Sequence, residues 1–248
     1  MDDRVLLVPP TFAPDPAVLR SWASTGVLIS RLEERWPIDF VRWPTIKGEP
    51  AIGSGWEILV HPVQAVATPQ HHVVDISFGG GSLAVSLRDI PPRSLAVAGF
   101  VGTLASLRAA GYPELAEAAR VSQTIITRPG QFLPFIMQGA SEHDIDLAER
   151  QLDATLDSEL LAEVFEVVAD VHFADLATLD VPAVFFCVPP PFPGGDVEYE
   201  MYQSLVPGVR RDELATWPGQ IHLPDGGNEL ADKVIPFIEE VIAARTDA

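Results

Sequence analysis

The chain has 248 residues, of which 35 are acidic and 16 are basic, so its formal net charge is −19. This imbalance argues against a nucleic-acid partner, because Lys and Arg hold a polyanion, and it disfavours an anionic membrane surface for the same reason. With 47% hydrophobic residues, the chain is long and apolar enough to bury a substantial core. A single cysteine, Cys187, rules out an intrachain disulfide and a cysteine-based zinc site.

Targeting and cofactor signals are absent from the sequence. The first residues contain no basic stretch followed by an apolar run, and no apolar stretch reaches a membrane-spanning length. The histidines show no metal-ligand spacing. We therefore expect a cytoplasmic protein with no membrane partner, no metal and no other cofactor.

Short apolar runs bounded by Pro, Gly or charge predict strands in the first hundred residues. These strands are predicted at residues 5–8, 38–41, 72–78 and 94–100. Helices are predicted between them, at about residues 15–34, 55–67 and 82–88. The first helix opens with Asp15 as N-cap and Pro16 at its first position. Since the strands are apolar throughout and separated by helices, we predict a doubly wound, mostly parallel sheet with helices on both faces.

The strand rhythm stops after Val101 and gives way to a helical block. Helices are predicted there at residues 113–119, 144–156 and 158–168. Two strands and a closing amphipathic helix follow, at residues 181–188, 209–216 and 228–244. The pattern predicts an α/β core made of residues 1–102 and 176–248, interrupted by a helical lid of residues 103–175.

The sharpest local motif joins the third strand to the following helix. Residues 75–81 read Asp-Ile-Ser-Phe-Gly-Gly-Gly. They match the nucleophile elbow, small-x-Ser-x-Gly, except that Asp75 stands where Gly is usual. Such a turn lifts the Ser77 hydroxyl above the carboxyl edge of the sheet, and the backbone N–H of Phe78 would point at a developing oxyanion.

Taken in order along the chain, these motifs resemble the α/β-hydrolase superfamily, in particular its lidded branch of carboxylesterases and acyl thioesterases. The loop Pro9-Pro10-Thr11-Phe12 is similar to the oxyanion loop of that family. Residues 174–184 are similar to the approach to its penultimate strand, and residues 217–224 to the loop that bears its histidine. The resemblance implies an α/β-hydrolase fold with Ser77 as nucleophile, His222 as general base, and an oxyanion hole formed by the N–H groups of Phe78 and of Thr11 or Phe12.

The catalytic acid is less well marked. The family places an Asp after the strand at residues 183–188, where this chain has a proline-rich loop before Asp196. Asp196 is therefore the candidate acid, with Glu198 as a nearby substitute. A dyad without an acid is the alternative, since the acid mainly orients the histidine. Asp75 is either a bystander that modulates the site or a displaced acid, because strand alternation puts it on the face of Ser77 until the turn.

These residues predict a serine hydrolase that cleaves a small hydrophobic or acyl ester or thioester through an acyl-enzyme at Ser77. The substrate is free or linked to an acyl carrier, although an acidic carrier would be repelled by the net charge. An apolar cluster in the lid is either core or an acyl-binding wall, and consists of Phe132, Leu133, Phe135, Ile136 and Met137. The oligomeric state is left open.

The alternative is a non-hydrolytic relative, either a binding protein or a lyase or cyclase that uses the same pocket. A nucleotide site is disfavoured: residues 79–84 satisfy Gly-x-Gly-x-x-Ala, but the next strand has no acidic residue to hold a ribose. His71 and His72 are predicted to be solvated loop residues that precede a strand.

Overall fold

A computed structural model describes residues 3–13, 15–49, 55–76, 80–98, 103–172, 178–188 and 195–246. Its centre is a six-stranded sheet with the order β2-β1-β3-β4-β5-β6, in which every pair of neighbours is parallel. The strands are β1 (Arg4–Val8), β2 (Ile38–Phe40), β3 (His71–Asp75), β4 (Ser94–Val97), β5 (Ala183–Cys187) and β6 (Arg210–Glu213). The predicted doubly wound sheet is confirmed.

Helices cover both faces of this sheet. The helices before the insertion are α1 (Pro16–Ser21), α2 (Ala23–Glu33), a 3₁₀ helix (Gly55–Leu59), α3 (His61–Val66) and α4 (Gly80–Leu87). Those of the insertion are α5 (Leu104–Ala109), α6 (Pro113–Ile126), α7 (Pro129–Ile136), α8 (Glu142–Thr155) and α9 (Ser158–Ala169). The last two are α10 (Gly195–Leu205) and α11 (Asp225–Thr246).

The core is split in two because successive strand side chains point to opposite faces. On one face, Leu7 and Val74 pack with buried residues of α1, α2 and α11. On the other face, Leu6 and Val73 pack with buried residues of α3, α4 and α10. Every residue of β1 after the first, and every residue of β3, β4 and β5, is buried, as a sheet covered on both sides requires.

The described part of the insertion between β4 and β5, residues 103–172, consists of α5 to α9 and the short segments that join them, and it contributes no strand to the sheet. Its α7 joins the core on the α2 face through Phe132, which meets Phe12 edge to face with ring centroids 4.7 Å apart. On the other face, Val164 and Val168 of α9 are buried with the core. The division into a core and a lid of residues 103–175 stays a prediction.

The structure corrects three expectations. The predicted helix at residues 15–34 is two helices, because Trp22 between them has extended backbone angles. A helix not predicted, α10, follows the proline-rich loop. The prediction of solvated histidines is wrong: His71 and His72 lie within β3 and are 2% and 0% exposed, with polar partners supplied by neighbouring segments. Among the described residues, no helix combines the length and apolar character that a membrane span requires.

Candidate active site

A crevice site is expected where the sheet changes its winding direction. From β1 the chain goes to β2 on one side, and β3 then adds to the other side. Ligands of doubly wound sheets bind outside the carboxyl ends of the strands at such a point. Val8 and Asp75 are register partners there, and the Ile76 N–H donates to the Val8 carbonyl at 3.1 Å. The loop after β1 and the segment entering the elbow therefore leave the sheet side by side.

The loop after β1 carries the predicted oxyanion residues, and both are buried. Thr11 is 2% exposed and Phe12 is 4% exposed. The Phe12 ring lies between Phe132 of the insertion and Trp22, whose centroid is 6.4 Å away in a stacked arrangement. The Thr11 hydroxyl is buried and has no hydrogen-bond partner among the described residues. This loop is therefore held in place by apolar contacts from the insertion and from the joint between α1 and α2.

Two side chains from beyond β2, neither of them predicted to act in the site, bind the carbonyls of this loop. The Trp43 indole N–H donates to the Pro9 carbonyl at 2.7 Å, and the Thr45 hydroxyl donates to the Thr11 carbonyl at 2.8 Å. Each pair is 34 residues apart in sequence. No periodicity marks a contact of this kind, although Trp43-Pro44 ends the second strand.

The predicted nucleophile Ser77 and the oxyanion residue Phe78 lie outside the described residues. Asp75, directly before Ile76, is the last residue of β3 and is completely buried. Its register partner Val97 lies on the α10 face of the sheet. Burial, and then the charge of Asp75, raise the pKa of the Tyr202 hydroxyl on α10 well above its ordinary value. Asp75 therefore faces α10.

The histidine loop lies between β6 and α11 and packs on the opposite face of the sheet, beside α2. The Ser24 hydroxyl donates to the Pro218 carbonyl at 2.6 Å, and the Ser24 N–H donates to the Ile221 carbonyl at 3.2 Å. His222 is half-buried, and its Nδ1 is a buried atom with no hydrogen-bond partner among the described residues. In a catalytic triad this nitrogen is the one held by the acid.

The candidate acids lie at the start of α10. Asp196 is 74% exposed, and its carboxylate lies 2.5 Å from the guanidinium of Arg211 on β6. Glu198, one half-turn later, is buried at 3% exposure. Since His222 Nδ1 has no partner among the described residues, the structure brings none of Asp196, Glu198 and Asp75 into a hydrogen bond with it. The acid therefore stays a prediction.

Most of the apolar lid cluster is packed into the core. Its buried members are Phe132, Leu133, Ile136 and Met137. Phe135 is 45% exposed. Phe132 touches the loop after β1, through Phe12.

A separate pocket of about 410 Å³ lies between the insertion and α10. Its lining includes Ser106 and Tyr112 from the insertion and Glu200 and Met201 from α10, and no predicted catalytic residue. In the described part of the chain, no three His, Cys, Asp or Glu side chains are grouped as a metal site requires.

In sequence, the chain matches no protein family model and no curated protein. Among solved structures, a bromoperoxidase from Bacillus anthracis is similar with a TM-score of 0.67 at 11% identity, over 96% of this chain and 92% of that one. For the Bacillus megaterium epoxide hydrolase the TM-score is 0.64 at 11% identity, over 96% and 94% of the two chains. For the Vlm2 thioesterase domain bound with a dodecadepsipeptide it is 0.54 at 17% identity, over 93% and 94%. All three are α/β-hydrolase superfamily members, and this chain has the fold of that superfamily.

Proposed function

We propose that the protein is a serine hydrolase that cleaves an ester or thioester of a small hydrophobic or acyl substrate. One observation carries this proposal. The loop bearing Thr11 and Phe12 and the segment leading into Ser77 leave adjacent strands at the switch point, joined by the bond from Ile76 to Val8. An oxyanion loop and a nucleophile elbow need this adjacency, because donor and nucleophile must reach the same carbonyl.

The mechanism follows from these roles. Ser77 attacks the carbonyl carbon while His222 accepts its proton, and the backbone N–H groups of Phe78 and of Thr11 or Phe12 stabilise the oxyanion. The protonated His222 then donates to the leaving alcohol or thiol. Water, deprotonated by the same histidine, releases the acyl group from Ser77.

We propose a Ser77–His222 dyad as the minimal machinery. Asp196 remains the acid predicted from sequence, but a dyad is favoured by its ion pair with Arg211 and by His222 Nδ1, which has no hydrogen-bond partner within the described ranges. A serine hydrolase without its acid retains catalysis, because the oxyanion hole and the base still act.

The proposed substrate is a free small molecule. Phe12 on the oxyanion loop packs against Phe132 of α7, so the residues around this loop are apolar, which suits an acyl group. The thioesterase domain among the similar structures supports a thioester as readily as an ester. An acyl-carrier-linked substrate is the less favoured form, because carriers are acidic and the net charge here is −19.

The test is covalent labelling of the protein with a fluorophosphonate, together with turnover of p-nitrophenyl esters of increasing acyl length and of the matching thioesters. Ser77→Ala should abolish labelling and lower kcat/KM by on the order of 10³-fold or more. Ser86→Ala is the matched control, since the hydroxyl of this buried serine of α4 donates to the Ser82 carbonyl within the same helix, at 2.7 Å. Equal turnover by the Ser77 variant and the control would refute the proposal.

A non-hydrolytic relative is the second candidate. It is favoured by Asp75, a carboxyl group buried just before the predicted elbow at the position where Gly is usual. It is also favoured by His222 Nδ1, which meets no hydrogen-bond partner in the part of the chain that the structure describes. Such a protein would bind a carbonyl compound in the crevice without labelling. Binding of unreactive amide analogues, with neither labelling nor turnover, is the result that selects it.

A further inference from the structure

The segment between β2 and the 3₁₀ helix, residues 41–47, contacts both the loop after β1 and the helical insertion; we call it the connector. Its Trp43 and Thr45 are each 1% exposed. As described above, they donate to the carbonyls of Pro9 and Thr11. Two buried side-chain donors of the connector therefore hold the oxyanion loop in place.

The same connector is bonded to the turn between α8 and α9. The Asp157 N–H donates to the Thr45 carbonyl at 2.7 Å, and the Lys47 N–H donates to the Thr155 carbonyl at 2.7 Å. Ile46 and Leu156, which lie between these two bonds, form an isolated antiparallel β-bridge. Thr45 thus binds the loop with its side chain and the insertion with its backbone.

The bond from Thr45 acts on one particular peptide. The Thr11 carbonyl and the Phe12 N–H belong to the same planar, trans peptide unit, so they point in opposite directions and cannot turn independently. A hydrogen bond on the carbonyl therefore sets the direction of the Phe12 N–H. It also polarises the peptide, which strengthens that N–H as a donor.

We infer that Thr45 is a positioning residue of the oxyanion hole, which orients the Phe12 N–H and couples it to the α8–α9 end of the insertion. This inference rests on the proposed function and adds a residue to it. Donors aimed before the reaction at the place where charge develops contribute most to catalysis, so a donor that is free to turn loses much of its effect.

The test compares Thr45→Val, which keeps the shape but removes the donor, with Thr45→Ser, which keeps the donor and removes a methyl group. Thr45→Val should lower kcat by about 10- to 100-fold with KM changed by less than about twofold, since the oxyanion exists only after attack. Thr45→Ser should restore kcat to within about threefold of wild type. Thr25→Val is the matched control, because this buried threonine of α2 donates to the Leu19 carbonyl of α1 rather than to a carbonyl of the oxyanion loop.

Hydrogen exchange of the peptide covering residues 9–13 gives a readout that does not need turnover. Thr45→Val should speed exchange there, while residues 155–157 keep their wild-type rate because the backbone bonds remain. The inference is overturned if Thr45→Val keeps wild-type kcat, if Thr45→Ser is no better, or if Thr25→Val loses as much. If wild-type protein turns over no ester or thioester, the proposed function fails instead. In that case, an exchange rate in residues 9–13 that Thr45→Val leaves unchanged would also overturn the role of Thr45 in holding this loop.

Discussion

Acidification should destabilise the protein through His72, a buried residue near the amino end of the central strand β3. The candidate site lies at the opposite, carboxyl ends of the strands. The His72 Nδ1 accepts from the Ser94 hydroxyl at 2.8 Å, and its Nε2–H donates to the Asp3 carboxylate at 3.2 Å. Burial, and then electrostatic interactions with Arg245 and His71, lower the pKa of His72 from 6.5 to about 4. The imidazole is therefore neutral in the folded protein at neutral pH.

Asp3 does not reverse this shift, because its carboxylate also pairs with Arg93 and lies 3.4 Å from Arg245. Between pH 6.5 and pH 4 the unfolded chain binds a proton at His72 that the folded protein does not bind. The stabilisation is therefore complete above the unfolded pKa and is lost as the pH falls towards the folded pKa. One pKa unit corresponds to about 1.4 kcal/mol, so the loss between pH 7 and pH 4.5 is about 2.5 kcal/mol.

Urea unfolding, followed by the fluorescence of the five tryptophans, measures this loss at both pH values and fixed salt. His72→Gln cannot gain the proton, so its free energy of unfolding should fall by about 2.5 kcal/mol less than that of wild type. Subtracting the loss of the variant from that of wild type removes the contribution of the carboxyl groups that titrate over the same pH range. His143→Gln, at an exposed position on α8, should behave as wild type. Equal losses for wild type and His72→Gln would refute the reasoning.

Two further substitutions test the site and the packing behind it. Asp196→Asn should change kcat/KM by less than about threefold, because the exposed carboxylate is bound to Arg211. A loss above about 100-fold in ester turnover would instead identify Asp196 as the triad acid. Gly227→Ala should lower the free energy of unfolding by about 1–3 kcal/mol, because its Cβ would lie 1.9 Å from the Ser24 carbonyl oxygen. Gly195→Ala, whose Cβ would have no neighbour nearer than 3.6 Å, is the control, and equal urea midpoints for the two variants would contradict this account.

The break between α1 and α2 is a feature that the local sequence pattern does not predict. The spacing of apolar residues in 15–34 is helical, and both halves are helices. The break at Trp22 arises because Ser24 gives its N–H and its hydroxyl to Ile221 and Pro218 of the histidine loop. These partners lie almost two hundred residues away, so no local pattern predicts the break.

Helix α10 was missed for a different reason. The prolines before it dominate the local pattern, and a glutamate stands on what becomes its buried face. Glu198, Tyr202 and Leu205 have helical spacing, and all three are buried. A buried carboxyl group contradicts the usual pattern, because its desolvation is costly unless the fold supplies partners. Only the packing of α10 against the sheet places Glu198 inside.

The sequence by itself determined the alternation of strands and helices, the helical insertion, and the fold, because these depend on periods of apolar residues a few positions apart. It also marked Ser77 through its turn motif, and Thr11, Phe12 and His222 through the resemblance to the α/β-hydrolase superfamily. The tertiary structure alone decided which groups meet: Thr45 with Thr11, and Asp196 with Arg211. Such partners follow from strand order and helix packing, which join residues far apart in sequence and leave no local periodicity to read.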